Sequence, residues 1–380
     1  MLGLHPRQRH CYHGAVTSQT TPRMKKAPGP ASAQKSAKRR IPAPPADGKL
    51  QMVDIAHLAG VSTATVSRAL NQSSLVNAET RERIEKLART LNYSVNVGAS
   101  NLRLQRNRTV SVVLPLDSVT QQHVSDPFFV SLLGSIADAL TARGYDMLLS
   151  RVDADRLDLA GDLAASGRAI GVVLIGQWHH HDQINELAAH KAPIVVWGAQ
   201  LPQQLYCTVG GDNIAGGILA TEHLLAKNRR RVAFFGDIDL PEIGHRFEGY
   251  QRALAHHKIA HVSQLLHRTP FIEGCASAAV AELLDKKIRF DAIFAGSDLL
   301  ALEAINALRE RGLKVPDDVA VVGYDDIGIA RYYHPSLTTI RQPVTKGGEA
   351  IVDALLKVVA GKRPKSQILP TELIVRDSTG

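Results

Sequence analysis

The sequence predicts an α/β protein in which a small three-helix head precedes doubly wound parallel sheets. From residue 109 onward, short Val/Ile-rich runs alternate with amphipathic segments of roughly 10–15 residues, which is typical of parallel sheets with helices on both faces. Residues 50–95 instead show three short helical patterns with turn signals between them. Residues 1–49 are rich in Pro, Ala, Ser and Lys/Arg and have little apolar surface to bury, so we expect a disordered tail.

The positive charge of the chain is concentrated at its front. The 380 residues carry a formal net charge of +9. Residues 1–49 hold ten basic side chains and one acidic side chain. Residues 50–110 hold eight basic and four acidic side chains, and residues 111–380 hold 27 basic and 31 acidic side chains. This distribution indicates that the front alone contacts a polyanion. The tail is either a non-specific phosphate-binding arm or a solvated extension, and Met24 would also serve as a start.

Composition excludes several classes of protein. The three cysteines, Cys11, Cys207 and Cys275, are scattered and lack CxxC spacing, which fits a reducing cytosol better than a disulfide framework. No run approaches the ~20 apolar residues of a membrane helix. The first residues lack the apolar stretch of a secretory signal. We therefore expect a cytoplasmic protein with no membrane partner.

The head is predicted from caps, turns and helical periodicity. Gly60 ends the first helix, because glycine tolerates the positive φ of a tight turn. Ser62 and Asn77 stand where the N-caps of the second and third helices belong. The side chains expected to face inward are Val53, Ile55, Ala56, Leu58 and Ala59 in the first helix, Val66, Ala69 and Leu70 in the second, and Ile84, Leu87, Ala88 and Leu91 in the third.

The stretch DIAHLAGVSTATVSRALN has the spacing of a helix-turn-helix. In that motif the second helix enters the major groove of DNA by its N-terminal end. Thr63 and Ala64 would then face base edges, with Arg68 one turn later on the same side. Thr65 and Ser67 offer short hydroxyl donors to phosphate oxygens. From spacing alone, a generic helical pair joined by a turn remains the alternative.

The larger part of the chain is predicted from its strands. They lack clean alternation of apolar and polar residues, as expected when both faces of a sheet are buried. About ten such strands would suffice for two lobes. The seven candidate runs are 110–115, 145–150, 170–175, 192–197, 231–236, 291–296 and 318–324.

The order of motifs resembles the lactose/galactose repressor family. The head sequence is followed by VNAETRERIEKLARTLNY and NVGASNLRLQRNRTVSVVLP, and then by DPFF, GDNIAGG, HRFEGYQRAL, GSDLLALEAI, VPDDVAVVGYDD, HPSLTTIRQP and TELIVRDST. The resemblance covers roughly residues 50–380. It implies a head at 50–95, a hinge at 96–108, and at 109–380 a type I periplasmic-binding-protein fold. In that fold two lobes are joined by three crossovers, and the ligand lies in the cleft.

The resemblance also implies how the hinge acts. In the family this segment folds into a short helix on the operator, and a leucine wedges into the minor groove. The matching positions begin at Asn96 and include Ala99, with Leu102 as the wedge. Such a side chain unstacks a base step and kinks the duplex. Alternatively, Leu102 packs against the core as part of a linker.

Three charged residues are expected to bind an effector through the same resemblance. Asp325 is the first of an Asp pair that follows a predicted strand, and carboxylates bind sugar hydroxyls well. Arg246 in HRFEGY matches an arginine that reaches the ligand. Asp298 follows DAIFAGS at the expected cleft wall. A loop cap for Asp325 and a structural salt bridge for Arg246 are the alternatives.

Five aromatic residues are further candidates for the cleft: Phe128, Phe129, Phe271, Trp178 and Trp197. Aromatic faces bind the C–H surfaces of sugars, but each of these residues could equally pack in the core. Aspartate, arginine and aromatics suit a hexose or oligosaccharide, although a nucleoside or purine could use a similar set.

The sequence offers no metal or cofactor site. His179, His180 and His181 are adjacent and cannot easily aim three imidazoles at one ion, so a solvated loop is expected. Neither GxGxxG after a strand nor a P-loop is present, which argues against an α/β enzyme. A solute-binding protein of a transporter would need an export signal and no head.

The predicted function is therefore allosteric control of transcription. A homodimer would place two heads on a palindromic double-stranded operator, and a sugar-like effector between the lobes would change operator affinity. The chain ends at RDSTG without a leucine-heptad extension, which favours a dimer over a tetramer.

Overall fold

The computed structural model describes residues 51–70, 72–91, 107–116 and 123–380. The chain divides into two compact units, Met1–Val95 and Asn96–Gly380, called here the head and the sensor unit. The predicted tail at 1–49 lies outside the described residues, as do the hinge candidates Asn96, Ala99 and Leu102.

The described part of the head consists of three helices. They are α1 (Met52–Leu58), α2 (Thr63–Leu70) and α3 (Ala78–Thr90). Ser62 Oγ accepts the backbone N–H of Thr65 at 3.1 Å, and Asn77 Oδ1 accepts that of Thr80 at 2.8 Å. Gly60 turns the chain with φ of 64°. Both predicted caps and the predicted turn are confirmed: Gly60 and Ser62 lie between α1 and α2, and Asn77 begins α3.

Most of the predicted inward face of the head is buried. The buried apolar cluster contains Ile55, Ala56, Ala59, Val66, Ala69, Val76 and Ile84, and Leu70, Leu87 and Leu91 pack against it. The prediction was wrong for Val53 and Leu58, which are 49% and 58% exposed. At 3.6 residues per turn, both lie more than a quarter turn from the centre of the stripe formed by Ile55, Ala56 and Ala59.

The described part of the sensor unit contains two six-stranded sheets. The strand order is β11-β5-β4-β3-β1-β2 in the first and β12-β10-β9-β8-β6-β7 in the second. All pairs are parallel except β10 with β12. The strands are β1 (Thr109–Leu116), β2 (Asp146–Asp153), β3 (Gly171–Ile175), β4 (Ile194–Trp197), β5 (Cys207–Gly211), β6 (Val232–Phe235), β7 (Leu266–His267), β8 (Ala292–Ala295), β9 (Ala320–Asp325), β10 (Thr338–Arg341), β11 (Gln367–Leu369) and β12 (Glu372–Ile374).

Helices cover both faces of each sheet. They are α4 (Pro127–Ala142), α5 (Asp158–Ala165), α6 (His181–Ala189), α7 (Asn213–Ala226), α8 (Pro241–His256), α9 (Cys275–Asp285), α10 (Asp298–Glu310) and α11 (Val344–Val359). Buried clusters join α4 and α11 to one face of the first sheet, and α5 and α6 to its other face. The second sheet packs on α7 and α8 and, on its opposite face, on α9 and α10.

The two sheets define two lobes with the same winding. In each, the strand order reverses beside the first strand of the lobe, which is the switch point of a doubly wound sheet. Within residues 123–380 the chain passes between the lobes three times: from β5 to α7, from β10 to α11, and from β11 to β12. The predicted two-lobed α/β fold and its crossovers are confirmed. None of the described helices combines the length and apolarity needed to cross a membrane.

Candidate functional site

The outward face of α2 carries the predicted DNA-reading residues. Thr63, Ala64 and Arg68 are exposed, whereas Val66 and Ala69 on the opposite face are buried. This anchoring leaves the first turn of α2 open to a partner. Thr65 and Ser67 are half-buried, and Thr65 Oγ1 lies 2.9 Å from Ser62 Oγ in the cap.

Two other arginines of the head are engaged internally. Arg81 Nη2 donates to the carbonyls of Ser73 at 2.8 Å and Val76 at 3.0 Å. Arg83 Nη2 donates to the carbonyl of Ala59 at 3.1 Å, at the C-terminal end of α1. These bonds hold α3 against the turns on either side of α2. They give Arg81 and Arg83 structural roles that the exposed Arg68 does not share.

A cavity of about 680 Å³, including space open to solvent, lies between the two sheets of the sensor unit. Its place, outside the carboxyl ends of parallel strands, is where ligands of doubly wound sheets commonly bind. The carboxyl ends of strands from both sheets, with the loops and helices that follow them, provide its lining: Asp126, Phe128, Phe129, Ile175, Gly176, Trp178, Trp197, Gly198, Gly210, Gly211, Asn213, Leu240, Glu242, Ile243, Arg246, Phe271, Ser297, Asp325 and Gln342. Seven of the eight predicted effector residues are among them.

Arg246 organises one polar end of the cavity. Its Nε donates to Asn213 Oδ1 at 2.9 Å, and its Nη1 donates to the carbonyl of Gly296. The guanidinium carbon lies 3.7 Å from the centre of the Tyr324 ring, a cation–π contact that fixes the plane of the group. Nη2 is left facing Asp325 Oδ1 at 3.9 Å. Arg246 is therefore held rigidly with one edge toward the cavity.

Asp325 and Asp326 have separate roles. Gln342 Nε2 donates to Asp325 Oδ1 at 2.7 Å, and Asp325 lines the cavity. Asp326 instead forms ion pairs with Arg341 Nε at 2.7 Å and with Arg376. The two aspartates have φ of 119° and 56°, a left-handed backbone that is costly for residues other than glycine and is frequent at functional sites.

Electrostatics separate the two aspartates further. Burial raises the pKa of Asp325 to about 7; Asp126 adds to the shift, and Arg246 and Gln342 oppose it. Burial also raises the pKa of Asp326, but hydrogen bonds from Arg376 and Arg341 outweigh it and the net pKa is lowered. Asp326 is thus a fixed structural anion, whereas Asp325 titrates near neutral pH.

Asp298 does not line the cavity, contrary to expectation. It is fully buried, and its carboxylate accepts from Thr339 Oγ1 at 2.5 Å and from the backbone N–H of Ile327 at 2.8 Å. Burial, reinforced by Asp325, raises its pKa well above the usual range. Asp298 therefore supports the loop that carries Asp325, and the preceding residue, Ser297, lines the cavity in its place.

The five aromatic candidates all line the cavity. The ring of Phe128 lies 5.8 Å from that of Phe129 and 6.3 Å from that of Trp197, between centroids. Trp178 is 6% exposed and belongs to the same buried cluster as Leu240 of the second lobe, although it follows β3 of the first. The aromatic side chains thus combine packing with exposure to the cavity, and their contact with ligand stays a prediction.

Several polar residues of the cavity were missed. They are Asp126, Asn213, Glu242, Ser297 and Gln342. Asp126 and Asn213 lie in the DPFF and GDNIAGG motifs, and Ser297 stands next to a candidate, so these three had a sequence signal. Gln342 follows β10 and lies in the HPSLTTIRQP motif, whereas Glu242, the second residue of α8, lies in none of the quoted motifs.

The histidine-rich segments lie outside the cavity lining. His179 is exposed as expected, but His181 begins α6 and its Nδ1 lies 2.7 Å from the hydroxyl of Tyr206. Glu222, His256 and His257 bring three ligand-type atoms within 4.8 Å of one another, the one such group among the described residues. Glu222 lies 3.2 Å from His256 Nδ1, so a shared carboxylate accounts for the cluster.

Comparison with known proteins identifies the family. Residues 51–96 match "Bacterial regulatory proteins, lacI family", and residues 221–379 match "Periplasmic binding protein-like domain". The HTH-type transcriptional regulator CelR of Thermobifida fusca is 33% identical over 332 residues, which cover 85% of this chain and 96% of CelR. This chain belongs to the LacI family.

Other LacI-family proteins agree with this assignment. The HTH-type transcriptional repressor CytR of Escherichia coli is 31% identical over 333 residues, covering 86% of this chain and 96% of CytR. A structure of the lac repressor dimer bound to operator and the anti-inducer ONPF has a TM-score of 0.76 at 26% identity, covering 87% of this chain and 99% of that one. A CelR–cellobiose complex has a TM-score of 0.65 at 31% identity, covering 87% and 100%. The chain is a LacI-family transcriptional regulator, and these relatives are regulators rather than enzymes.

Proposed function

We propose that this LacI-family protein represses transcription by binding operator DNA, and that a small sugar in the cavity controls the binding. The observation that carries the proposal is that residues of both lobes line the cavity. Strand ends of both lobes contribute to it, so a ligand there contacts both lobes at once. A ligand with different affinities for two lobe arrangements shifts the equilibrium between them.

The exposed face of α2 supports direct readout of DNA. Thr63 and Ala64 are small enough for close approach to base edges, and Arg68 reaches guanine or phosphate. We propose a palindromic site, because two such helices in a homodimer read successive major grooves about 34–36 Å apart when one helical turn separates them. The hinge leucine and the tail add minor-groove and phosphate contacts in this proposal.

Exposed apolar side chains of the second lobe support the homodimer. Leu299, Ile329 and Tyr332 are 41%, 51% and 80% exposed. Leu299 lies on α10, Ile329 on the short 3₁₀ turn at Gly328–Arg331, and Tyr332 directly after that turn. Asp298, the first residue of α10, accepts the N–H of Ile327, which directly precedes the turn. Exposed apolar groups on one surface favour a self-complementary contact.

The lining of the cavity favours a sugar. Asp325, Asn213 and Gln342 offer oxygen and amide groups to hydroxyls, and the aromatic rings offer apolar faces. The structural relatives include a CelR–cellobiose complex and a LacI-family regulator of Enterococcus faecium with bound ribose, 28% identical with a TM-score of 0.62. We propose that this chain uses its cavity in the same way, in the cytoplasm where the operator is.

Selection of binding sites tests the DNA-binding half of the proposal. The full chain is incubated with a pool of randomised duplexes, and bound sequences are enriched and read. We expect a two-fold-symmetric consensus. Ala64→Leu is the informative variant, since Ala64 is exposed and the larger side chain blocks the approach of α2 without touching the core. Failure to enrich any sequence, or an identical consensus for Ala64→Leu, contradicts readout by α2.

A further inference from the structure

Three buried polar side-chain atoms near the cavity have no hydrogen-bond partner. Among the described residues six such side-chain atoms occur, and three of them are Gln177 Oε1, Trp178 Nε1 and Glu242 Oε1. An unsatisfied buried polar group costs about 1–3 kcal/mol, and buried polar groups are generally paired. Two acceptors and a donor left open beside one cavity indicate that a hydroxylated ligand completes them.

The glycine at position 198 keeps this end of the cavity open. A Cβ at Gly198 would lie 2.6 Å from Gln177 Oε1 and 3.0 Å from Glu242 Oε1, so both oxygens face the same small space. Gln177 follows β3 of the first lobe, and Glu242 lies in the first turn of α8 of the second. The open acceptors therefore come from opposite sides of the cleft.

Both acceptors are held in orientation. Gln177 Nε2 donates to the carbonyl of Ala199 at 2.8 Å, and because that carbonyl can only accept, the amide nitrogen must face it and Oε1 must face Gly198. Burial raises the pKa of Glu242, and the backbone N–H of Glu242 itself, the charge of Arg246 and the backbone N–H groups of Ala199 and Gln177 oppose the rise. The N–H groups of Ala199 and Gln177 hold the carboxylate against the first lobe, with Oε1 beside Gly198.

The charge of the cavity selects against anions. Among the described residues that line it, the charged side chains are three carboxylates, Asp126, Glu242 and Asp325, and one guanidinium, Arg246. The donors of Arg246 are directed at Asn213, at a carbonyl and at Asp325. Burying a phosphate needs a cation to offset the loss of its hydration, and Arg246, the one cation among the described lining residues, already faces Asp325.

We propose that the effector is an uncharged saccharide bound at two polar ends, with Glu242, Gln177 and Trp178 at one and Asp325 with Arg246 at the other. Hydroxyls donate to Glu242 and Gln177 and accept from Trp178 Nε1, while the sugar face lies against the aromatic rings. Phosphorylated sugars and nucleotides are excluded. This inference rests on the proposed function only in that the ligand occupies this cavity.

Intrinsic fluorescence of the full chain reports on this site specifically. The chain has two tryptophans, Trp178 and Trp197, and both line the cavity. Emission is titrated with glucose, ribose, maltose and cellobiose, with glucose 6-phosphate and ribose 5-phosphate as charged counterparts, and with adenosine as a neutral compound bearing a base. We expect a saturable change with at least one neutral saccharide, and affinity at least ~100-fold weaker for any phosphorylated counterpart.

Glu242→Gln tests the second polar end. The glutamine amide can donate to Gln177 Oε1, so the variant keeps its fold while losing the carboxylate acceptor. We expect affinity for the neutral saccharide to fall about 10–100-fold, the range of a hydrogen bond to a charged group. Discrimination against the phosphorylated counterpart should also shrink. The matched control is Glu186→Gln, exposed on α6, which should bind as the unaltered chain does.

The outcomes separate this inference from the proposed function. If a phosphorylated sugar binds more tightly than its neutral counterpart, the inference that the effector is uncharged is wrong, but the proposed control by a small sugar still holds. If Glu242→Gln and the unaltered chain bind the saccharide equally well, Glu242 does not contact the ligand, and the proposed control by a small sugar again still holds. If no saccharide, neutral or charged, changes the emission, then the proposed sugar control itself is wrong and this inference falls with it.

Discussion

Arg246 Nη2 lies 3.9 Å from Asp325 Oδ1, and the two side chains are only 6% and 9% exposed. The distance is too long for a direct hydrogen bond, although each group is fixed by other partners. Because these two buried charged groups do not hydrogen-bond to each other, the guanidinium can still donate to a third group and the carboxylate can still accept from it. The geometry suits a ligand hydroxyl that accepts from the guanidinium and donates to the carboxylate.

Asp325→Asn should abolish the effector response and leave operator binding without effector intact. The amide is isosteric and its oxygen can still accept from Gln342, so the loop keeps its conformation. The ligand, however, loses a charge-assisted bond worth about 1.5–3 kcal/mol. Operator affinity is measured by fluorescence anisotropy with and without saccharide. Asp317→Asn, exposed in the sensor unit, serves as control, and a normal response in Asp325→Asn would remove Asp325 from the site.

The same variant should be more stable than the unaltered chain at alkaline pH. The pKa of Asp325 is about 7 in the folded state, against about 3.9 for an unperturbed aspartate. The folded state binds more protons between these values, so its stability falls as pH rises through that window, and the loss is complete above pH 7. Asparagine does not titrate, so Asp325→Asn does not lose stability in this pH range through residue 325.

Melting temperatures from pH 4 to pH 8 measure this effect. We expect the two proteins to match near pH 4, and Asp325→Asn to melt several degrees higher at pH 8, since about 1 kcal/mol shifts Tm by roughly 2–4 °C in domains of 150–250 residues. The lowered pKa of Asp326 acts with the opposite sign in both proteins and cancels in the difference. If the difference in melting temperature between the two proteins does not grow with pH, the pKa of Asp325 is not raised in the folded state.

Saccharide affinity should weaken below neutral pH. As pH falls through about 7, Asp325 becomes protonated and ceases to be a charged acceptor. We expect affinity from tryptophan emission to drop severalfold between pH 8 and pH 6, and Asp325→Asn to bind weakly at both. Affinity that is flat across this range, or that rises on acidification, would show that the ligand does not use the carboxylate.

Arg68→Ala should weaken operator binding by about 1–3 kcal/mol if the side chain reads a base. Arg68 is exposed on α2, so its removal does not disturb the head, unlike substitution of Arg83, which bonds the end of α1. The selected consensus should relax at one position per half-site. Arg309→Ala, exposed on α10, is the matched control. Unchanged affinity and unchanged sequence preference would refute base readout by Arg68.

Removal of residues 1–49 should lower the salt dependence of operator binding. The segment carries ten basic side chains and one acid, and each phosphate contact contributes about 0.9 to the slope of log affinity against log salt. The measurement compares the slope for the full and shortened chains on one operator. Identical slopes would make the tail a solvated extension.

The sequence predicted the strands that are rich in β-branched residues. It did not predict strands such as β5 and β10, whose residue types depend on contacts with distant parts of the chain. β5 contains Gly210 because a Cβ there would lie 2.3 Å from the carbonyl oxygen of Gly198, which directly follows the neighbouring strand β4. β10 begins with Thr338 and Thr339, whose hydroxyls bond Arg376 and Asp298 in the folded chain. A polar run can be buried when distant partners satisfy it, and periodicity does not record those partners.

The site was predictable where a marked strand led directly into it. Asp325 ends β9, Trp197 ends β4, and Trp178 lies shortly after the end of β3. Asp298 was misplaced by one residue, because adjacent side chains at a strand end point in different directions and only Ser297 faces the cavity. Glu242 reaches Gly198 from the opposite lobe, and such a contact depends on how the lobes close.

Coupling between the cavity and the DNA-binding head is measured as the operator affinity of the full chain with and without a saccharide that changes its tryptophan emission. We expect operator affinity to shift about 5–150-fold, corresponding to a coupling of about 1–3 kcal/mol between the two sites. The reciprocal experiment should show the same factor in saccharide affinity when operator is present. A saccharide that fills the cavity and leaves operator affinity unchanged would contradict this coupling.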